Sequence, residues 1–222
     1  MIDVIINGAK GKMGRLIKTV IETDYKERVR IVQLRDFDTQ EPAPKADIVI
    51  DFSMPEGAKQ AYKTAKQIHA AFLCGTTNLD DNFLAELKAE KEIAVFYSAN
   101  VSIGVFLFGK LLKQAAELFK DYIPKMHEAH HAQKKDSPSG TAKALAKLIN
   151  FPQEEITFER TGTVPGTHML NLESKNGDEI ISVTHKALDR RLFAGSAVKI
   201  ALWLPGKEPG FYDMASFTEN LL

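Results

Sequence analysis

Short, almost uninterrupted apolar runs alternate with amphipathic helical patterns through the first hundred residues, and this alternation restricts the fold more than any other feature of the chain. Residues 3–7, 28–34, 47–52, 70–74 and 93–97 read as strands, and residues 12–23, 57–67 and 80–90 read as helices. Strands that are apolar on both sides need cover on both faces, which a parallel sheet flanked by helices supplies. The expectation is an α/β chain with a Rossmann-like, doubly wound parallel sheet.

From about Val101 the character changes. An apolar helical run (105–119) leads into a stretch rich in His and Lys, followed by a second helix at 141–149. Beyond Pro152, runs 156–160, 168–174 and 179–186 alternate polar and apolar residues between Gly-containing turns and read as antiparallel strands. Residues 194–204 are again helical, and the tail after Pro205 reads as turns. The second half therefore has the signature of an α+β domain.

Composition removes several classes of function. Apolar residues make up 44% of the 222, enough for a proper core. Lys plus Arg equals Asp plus Glu, 29 against 29, which argues against a nucleic-acid partner or a membrane-surface protein. Cys74 is the only cysteine, so neither an internal disulfide nor a cysteine metal cluster is possible, and a reducing cytoplasm is expected. The first residues lack the order of a signal peptide. The uncharged stretch 93–109 is broken by Ser98, Asn100, Ser102 and Gly104 and reads as a strand, a polar turn and a helix start rather than a membrane span.

Gly8, Gly11 and Gly14 fall between the first strand and the first helix. A tight turn there lets backbone N–H groups approach a pyrophosphate, with the positive end of the helix dipole behind them. The triplet alone is a weak signal, but its strand-to-helix placement favours a dinucleotide site. At the end of the second strand, Asp36 suits the ribose hydroxyls of NAD while Arg35 suits the 2′-phosphate of NADP. Both NADH and NADPH are therefore expected, unranked.

The other concentration of chemistry runs from Glu128 to Thr141, and with His127 just before it three of the six histidines, His127, His130 and His131, fall within five residues. Histidine exchanges protons near neutral pH, Lys134 and Lys135 suit a dicarboxylate, and Ser139, Gly140 and Thr141 open a helix whose N–H groups face an anion. The spacing lacks the His-x-x-x-His face of a helical metal site and the lysines repel cations, so no metal is expected.

From His130-His131-x-x-Lys134-x-Asp136-x-Pro138 to Ser139-Gly140-Thr141, the stretch resembles the signature of the dihydrodipicolinate reductase family. Residues 8–14, 51–55, 75–77, 98–104 and the C-terminal Phe193-Ala194, Leu202-Trp203 and Gly206-Lys207-Glu208 agree with that family in the same order. The resemblance spans nearly the whole chain. Ser137 departs from the family's alanine, and the link between Asp36 and Asp47 is compact.

The resemblance implies a homotetrameric oxidoreductase of lysine and diaminopimelate synthesis that reduces a dicarboxylate with NAD(P)H. It implies a dinucleotide-binding domain of residues 1–101 and 194–222, and a substrate-binding and oligomerisation domain of residues 102–193. His130 would be the general acid and Lys134 a carboxylate-binding, charge-stabilising partner. His131, Ser139, Gly140, Thr141 and Arg190 would hold the substrate. Gly8, Ala9, Lys10, Gly11, Lys12 and Met13, with Arg35, Asp36, Gly75, Thr76, Thr77, Ser98, Ala99, Asn100 and Val101, would line the cofactor.

Overall fold

A computed structural model describes residues 1–219. In chain order the elements are β1 (Ile2–Asn7), α1 (Lys12–Asp24), β2 (Val29–Arg35), β3 (Ile48–Asp51), α2 (Pro55–Gln67), β4 (Ala71–Cys74), α3 (Asp81–Lys88), β5 (Ala94–Tyr97) and α4 (Ile103–Leu118). They continue with β6 (Ile123–His130), α5 (Gly140–Leu148), β7 (Thr157–Arg160), β8 (Gly166–Glu173), β9 (Ile180–Ala187), α6 (Arg191–Trp203), β10 (Gly210–Tyr212) and α7 (Met214–Thr218). The chain divides into two compact units, one of Met1–Ser102 with the described residues from Arg191 onward, the other Ile103–Arg190.

The first unit is built on a six-stranded, wholly parallel sheet in the order β10-β5-β4-β3-β1-β2. Successive strand residues point to opposite faces. Ile5, Val49, Phe72 and Val95 pack with Ala58, Ala61, Tyr62 and Ala65 of α2 and Phe83 and Leu87 of α3. Their neighbours Val4, Ile6, Ile48, Ile50, Leu73 and Phe96 are just as buried and face the side covered by α1 and α6. Two-sided burial explains why these strands are continuously apolar. Proline fixes the first turn of α2, and Asp80 caps α3 by accepting from the Phe83 N–H at 2.8 Å. In this sheet order, β1 and β3 are neighbours at the point where the winding reverses, and the crevice outside their carboxyl ends is where such folds bind ligands.

The second unit holds a four-stranded sheet in the order β7-β6-β8-β9. One face packs on α4 and α5 through Phe108, Leu112, Leu145, Ala146, Met126, Leu170 and Leu172. Strand β8 alternates buried and half-buried residues without a break, the pattern of a strand with one covered face.

Two expectations need correction, and one stretch left without an element gains one. The later strands are not uniformly antiparallel: β8 pairs antiparallel with β6 and β9, but β7 runs parallel to β6, because α5 and its connecting turn return the chain to the same end of the sheet. The His-rich stretch begins as strand, since His127 and His130 lie on β6. The tail is more than turns, for β10 adds an edge strand to the first sheet and α7 follows, capped by Asp213.

Candidate active site

The glycine loop of the first unit is shaped by contacts that leave no space for side chains. Gly8 has φ +78°, and a β-carbon on it would stand 2.4 Å from the Phe52 carbonyl oxygen. One on Gly14 would stand 2.2 Å from the carbonyl oxygen of Gly8. The turn is tied to β2 by the N–H groups of Gly8 and Ala9, both donating to the Arg35 carbonyl, at 2.9 and 3.0 Å. Gly11 sits at the N-cap of α1 with no capping side chain, so the helix's first N–H groups remain available to an anion.

The end of β2 settles how Arg35 and Asp36 are disposed. The Asp36 carboxylate accepts from the Lys10 N–H at 3.1 and 3.2 Å, while Lys10 Nζ pairs with Asp38 at 2.8 Å. Arg35 Nη1 donates to Gln33 Oε1 and to the Glu41 carbonyl. The acid therefore lies against the glycine loop, and the guanidinium is engaged with the compact link after β2.

Beneath this surface lies a buried polar knot. Asp51, fully buried, accepts from Asn7 Nδ2 (2.7 Å) and Ser53 Oγ (2.6 Å) on one oxygen, and from Thr76 Oγ1 (2.6 Å) on the other. Burial pushes its carboxyl upward, and these donors pull it partly back. Thr76 Oγ1 also accepts from the Ser53 N–H, and the Phe52 ring covers Gly75 so closely that a β-carbon there would fall 2.1 Å from a ring carbon. The knot thus fixes residues 75–77 relative to the glycine loop, while Thr77 itself is exposed. After β5, the Ser98 hydroxyl closes a turn on the Asn100 carbonyl at 2.7 Å; Ala99 is exposed and Val101 buried.

In the second unit, a strand's period of two puts Glu128 and His130 on the same inward face of β6. The Glu128 carboxylate Oε2 sits directly against His130 Nδ1. Its other oxygen accepts from Arg160 Nη2 at 2.6 Å and from the Ser139 N–H at 3.2 Å. Arg160 is held in turn by the Asp136 carbonyl at 2.6 Å. The His168 ring meets His130 edge-on at 5.3 Å, and His185 lies beyond it at 6.2 Å.

Burial would raise the Glu128 carboxyl, but Arg160, His130 and the Ser139 N–H together bring it below the usual carboxylate range. His130 is lowered, chiefly by burial and further by Lys134 and Arg160, against the opposing pull of Glu128. His168, 5% exposed, is pushed down to about 4, first by burial and then by His130. Donor atoms of Glu128, His130 and His168 lie within 4.8 Å of one another. The Arg160 guanidinium already holds the same carboxylate and Lys134 adds positive charge, so a cation is disfavoured there.

The remaining polar groups of the stretch are paired along the loop after β6 and the start of α5. Lys134 Nζ pairs with Asp136 at 2.8 Å and lowers that carboxyl. Ser139 caps α5 by accepting from the Ala142 N–H at 3.1 Å, leaving Gly140 and Thr141 as the first residues of that helix. Arg190 Nη2 lies 3.0 Å from His131 Nε2.

A family model described as "Dihydrodipicolinate reductase, N-terminus" matches residues 30–101, and one described as "Dihydrodipicolinate reductase, C-terminus" matches residues 104–217. The chain belongs to the dihydrodipicolinate reductase family. It is 35% identical to the 4-hydroxy-tetrahydrodipicolinate reductase of Rickettsia bellii, covering 100% of this chain and 96% of that protein. To the protein of that name from Thermosipho africanus it is 34% identical, over 92% of each. Its fold is similar to that of a dipicolinate-bound dihydrodipicolinate reductase from Paenisporosarcina sp. TG-14, with TM-score 0.79 at 21% identity over the full length of both. A Corynebacterium glutamicum DAP dehydrogenase shares the fold more distantly, with TM-score 0.56 at 14% identity.

Within this family frame, the structure groups the expected residues by unit. Gly8 to Met13, Arg35, Asp36 and residues 75–77 and 98–101 follow the carboxyl ends of strands in the first unit. His130, His131, Lys134, Ser139, Gly140, Thr141 and Arg190 belong to the second. Arg190 reaches His131, whereas its neighbour Arg191 pairs with Asp24 of α1 at 2.7 Å. Sequence reasoning left Arg160 and His168 out and noticed Glu128 only as a neighbour of histidines. Reading 123–130 as strand would have placed Glu128 beside His130.

Proposed function

We propose that this chain reduces 4-hydroxy-tetrahydrodipicolinate (dihydrodipicolinate) to tetrahydrodipicolinate in lysine and diaminopimelate synthesis. The observation that carries this reading is His130, buried on β6 against an ionised Glu128, with Lys134 and the start of α5 beside it. The dipicolinate of the Paenisporosarcina structure supports a planar dicarboxylate as substrate here.

The roles divide between the units. Residues 8–13, 75–77 and 98–101, with Arg35 and Asp36, hold the nucleotide, and the tight turn that Gly8 and Gly14 permit presents the uncapped α1 N-terminus to a pyrophosphate. A reduced nicotinamide bound there supplies the hydride. Lys134, His131, Arg190, the N–H groups of Gly140 and Thr141, and the hydroxyls of Ser139 and Thr141 hold the two carboxylates, while the Ser139 N–H stays on Glu128. Lys134 also stabilises negative charge on the reacting ring, and His130 donates the proton that completes reduction. Two substrate carboxylates close to His130 favour its protonated form, offsetting the burial that lowers it in the free protein.

Either NADH or NADPH serves, with NADH preferred. Asp36 at the end of β2 suits a free ribose 2′-hydroxyl, and Arg35 is already engaged by Gln33 and Glu41. The division of labour follows a cofactor domain of residues 1–101 and 194–222 and a substrate domain of residues 102–193. The sheet face of β6, β8 and β9 turned away from α4 and α5 exposes Ile123 and Ile180 beside polar residues, and it is the surface assigned to a homotetramer. No described helix is long and apolar enough to cross a membrane. The proposed location is the cytoplasm, where the lone buried Cys74 stays reduced.

The test follows nicotinamide absorbance with substrate generated in place by the preceding synthase. Substrate-dependent oxidation of the nicotinamide, inhibited competitively by dipicolinate, is expected. No oxidation with either nucleotide, from folded protein that still binds it, would remove the reductase reading.

A further inference from the structure

The glutamate behind His130 has a geometry that fixes which ring nitrogen can do chemistry. We infer that Glu128, clamped by Arg160, is a positioning residue that holds His130 with its proton on Nδ1 and leaves Nε2 as the nitrogen that exchanges a proton with substrate. This rests on His130 being the proton donor.

Both oxygens of Glu128 lie against a neighbour. Oε2 meets His130 Nδ1, and Oε1 receives Arg160 Nη2 at 2.6 Å and the Ser139 N–H at 3.2 Å. A carboxylate so held cannot rotate away, and an ionised carboxylate can only accept, so the proton between the two groups belongs to Nδ1. Arg160 is itself fixed, since the same Nη2 donates to the Asp136 carbonyl and the guanidinium lies over the Phe158 ring at 5.3 Å. At the opposite edge of the imidazole stands Gly166, where a β-carbon would fall 2.6 Å from Nε2. Glycine there keeps that nitrogen uncovered by the neighbouring strand.

The charges facing His130 come from every strand around it. Lys134, from the loop after β6, and Arg160, from β7, both oppose its protonation, as burial does. His168 of β8 is buried beside it with neither ring nitrogen hydrogen-bonded among the described residues, and His185 of β9 stands behind His168. Among these groups Glu128 favours the imidazolium. In the reaction, the Nε2–H bond breaks, its proton forms the new bond to the substrate skeleton, and the ring is left as the neutral Nδ1–H form. Glu128 stays ionised throughout, and the electron pair arrives with the hydride of the proposed reduction.

The test is two-bond proton–nitrogen NMR on the full-length protein without ligands, with the His130 signals assigned by their loss in His130→Gln. Wild type should show a protonated Nδ1 and a bare Nε2 above its titration midpoint. In Glu128→Gln the neutral ring should shift toward the Nε2–H form, and its midpoint should fall by about one pH unit or more. Arg160→Gln should move the midpoint the opposite way. The acid-dependent limb of kcat should follow each shift, with KM for substrate within about threefold. If Glu128→Gln loses its fold, Glu128→Asp decides, since a carboxylate drawn back by one methylene should lower the midpoint by a smaller amount. An unchanged tautomer and midpoint in the folded glutamate variant overturns the inference. A retained Nδ1–H form together with a fully active His130→Ala protein would keep the tautomer but overturn the proton exchange at Nε2, and with it the proposed role of His130.

Discussion

Gly166 of β8 stands so close to His130 of β6 that a β-carbon at that position would lie 2.6 Å from the imidazole Nε2. The ring cannot retreat freely, because its other nitrogen is against Glu128 and its face meets His168. Gly166→Ala should therefore displace the proton donor and leave the rest of the sheet intact. A misplacement near 1 Å costs on the order of a hundredfold in rate. Steady-state kinetics should show kcat falling by about that factor, with nucleotide affinity unchanged. A variant with wild-type kcat would show that the imidazole position is not critical.

Lys134 is expected to act mainly through substrate affinity. A charge-assisted hydrogen bond contributes roughly 1.5–3 kcal/mol, so Lys134→Met should raise KM by about 10–100-fold. Loss of its stabilisation of the reacting ring should add a smaller fall in kcat. Lys134→Arg should restore little, because a planar guanidinium does not replace the compact ammonium that pairs with Asp136. The measurement is initial rate against substrate concentration for both variants.

Cofactor choice should follow Asp36. Its carboxylate is held against the glycine loop by the Lys10 N–H, and a 2′-phosphate would meet that negative charge directly. Wild type should use NADH with a kcat/KM at least about tenfold above that for NADPH, and Asp36→Ser should narrow the ratio. Equal use of both by wild type would contradict the assignment of Arg35 and Asp36.

Stability should fall on the acid side because of His168. Its folded pKa, about 4, lies below the ordinary value of 6.5, so the unfolded chain binds more protons between those two values. The stability it contributes is complete above about pH 6.5 and drains away as pH falls toward 4, a loss of about 3 kcal/mol. His130 and His185 are lowered as well and act in the same direction. His168→Phe keeps a ring against His130 and removes the ionisable group. Urea unfolding midpoints at pH 7, 5.5 and 4.5 should converge less steeply in that variant than in wild type.

The first sheet was legible because its physics is local. Strands buried on both faces must be apolar along their whole length, as residues 48–51 and 71–74 are, and the glycines after β1 are required by backbone contact rather than by chance composition. The second unit was harder to read. Strand β6 carries Lys125, His127, Glu128 and His130, a charged run that resembles a loop, because half of its inward face is a polar site instead of core. Its partner β7 is short and exposed, and its parallel pairing depends on where α5 returns the chain. Arg160 and His168 were missed because their significance lies in cross-strand register, with Arg160 paired to His130 and His168 to Glu128. The buried role of Asp51 was hidden in the same way, since its partners come from Asn7, Ser53 and Thr76 on three separate segments.

The most direct test of the account compares wild type with His130→Ala in single turnovers. Nicotinamide absorbance is followed after synthase-generated substrate is mixed with the nucleotide-loaded enzyme. The account predicts that the variant binds nucleotide normally and loses at least about a hundredfold in rate, the usual scale of general-acid catalysis. A variant that oxidises the nicotinamide within a few-fold of the wild-type rate would contradict the assignment of His130 as proton donor.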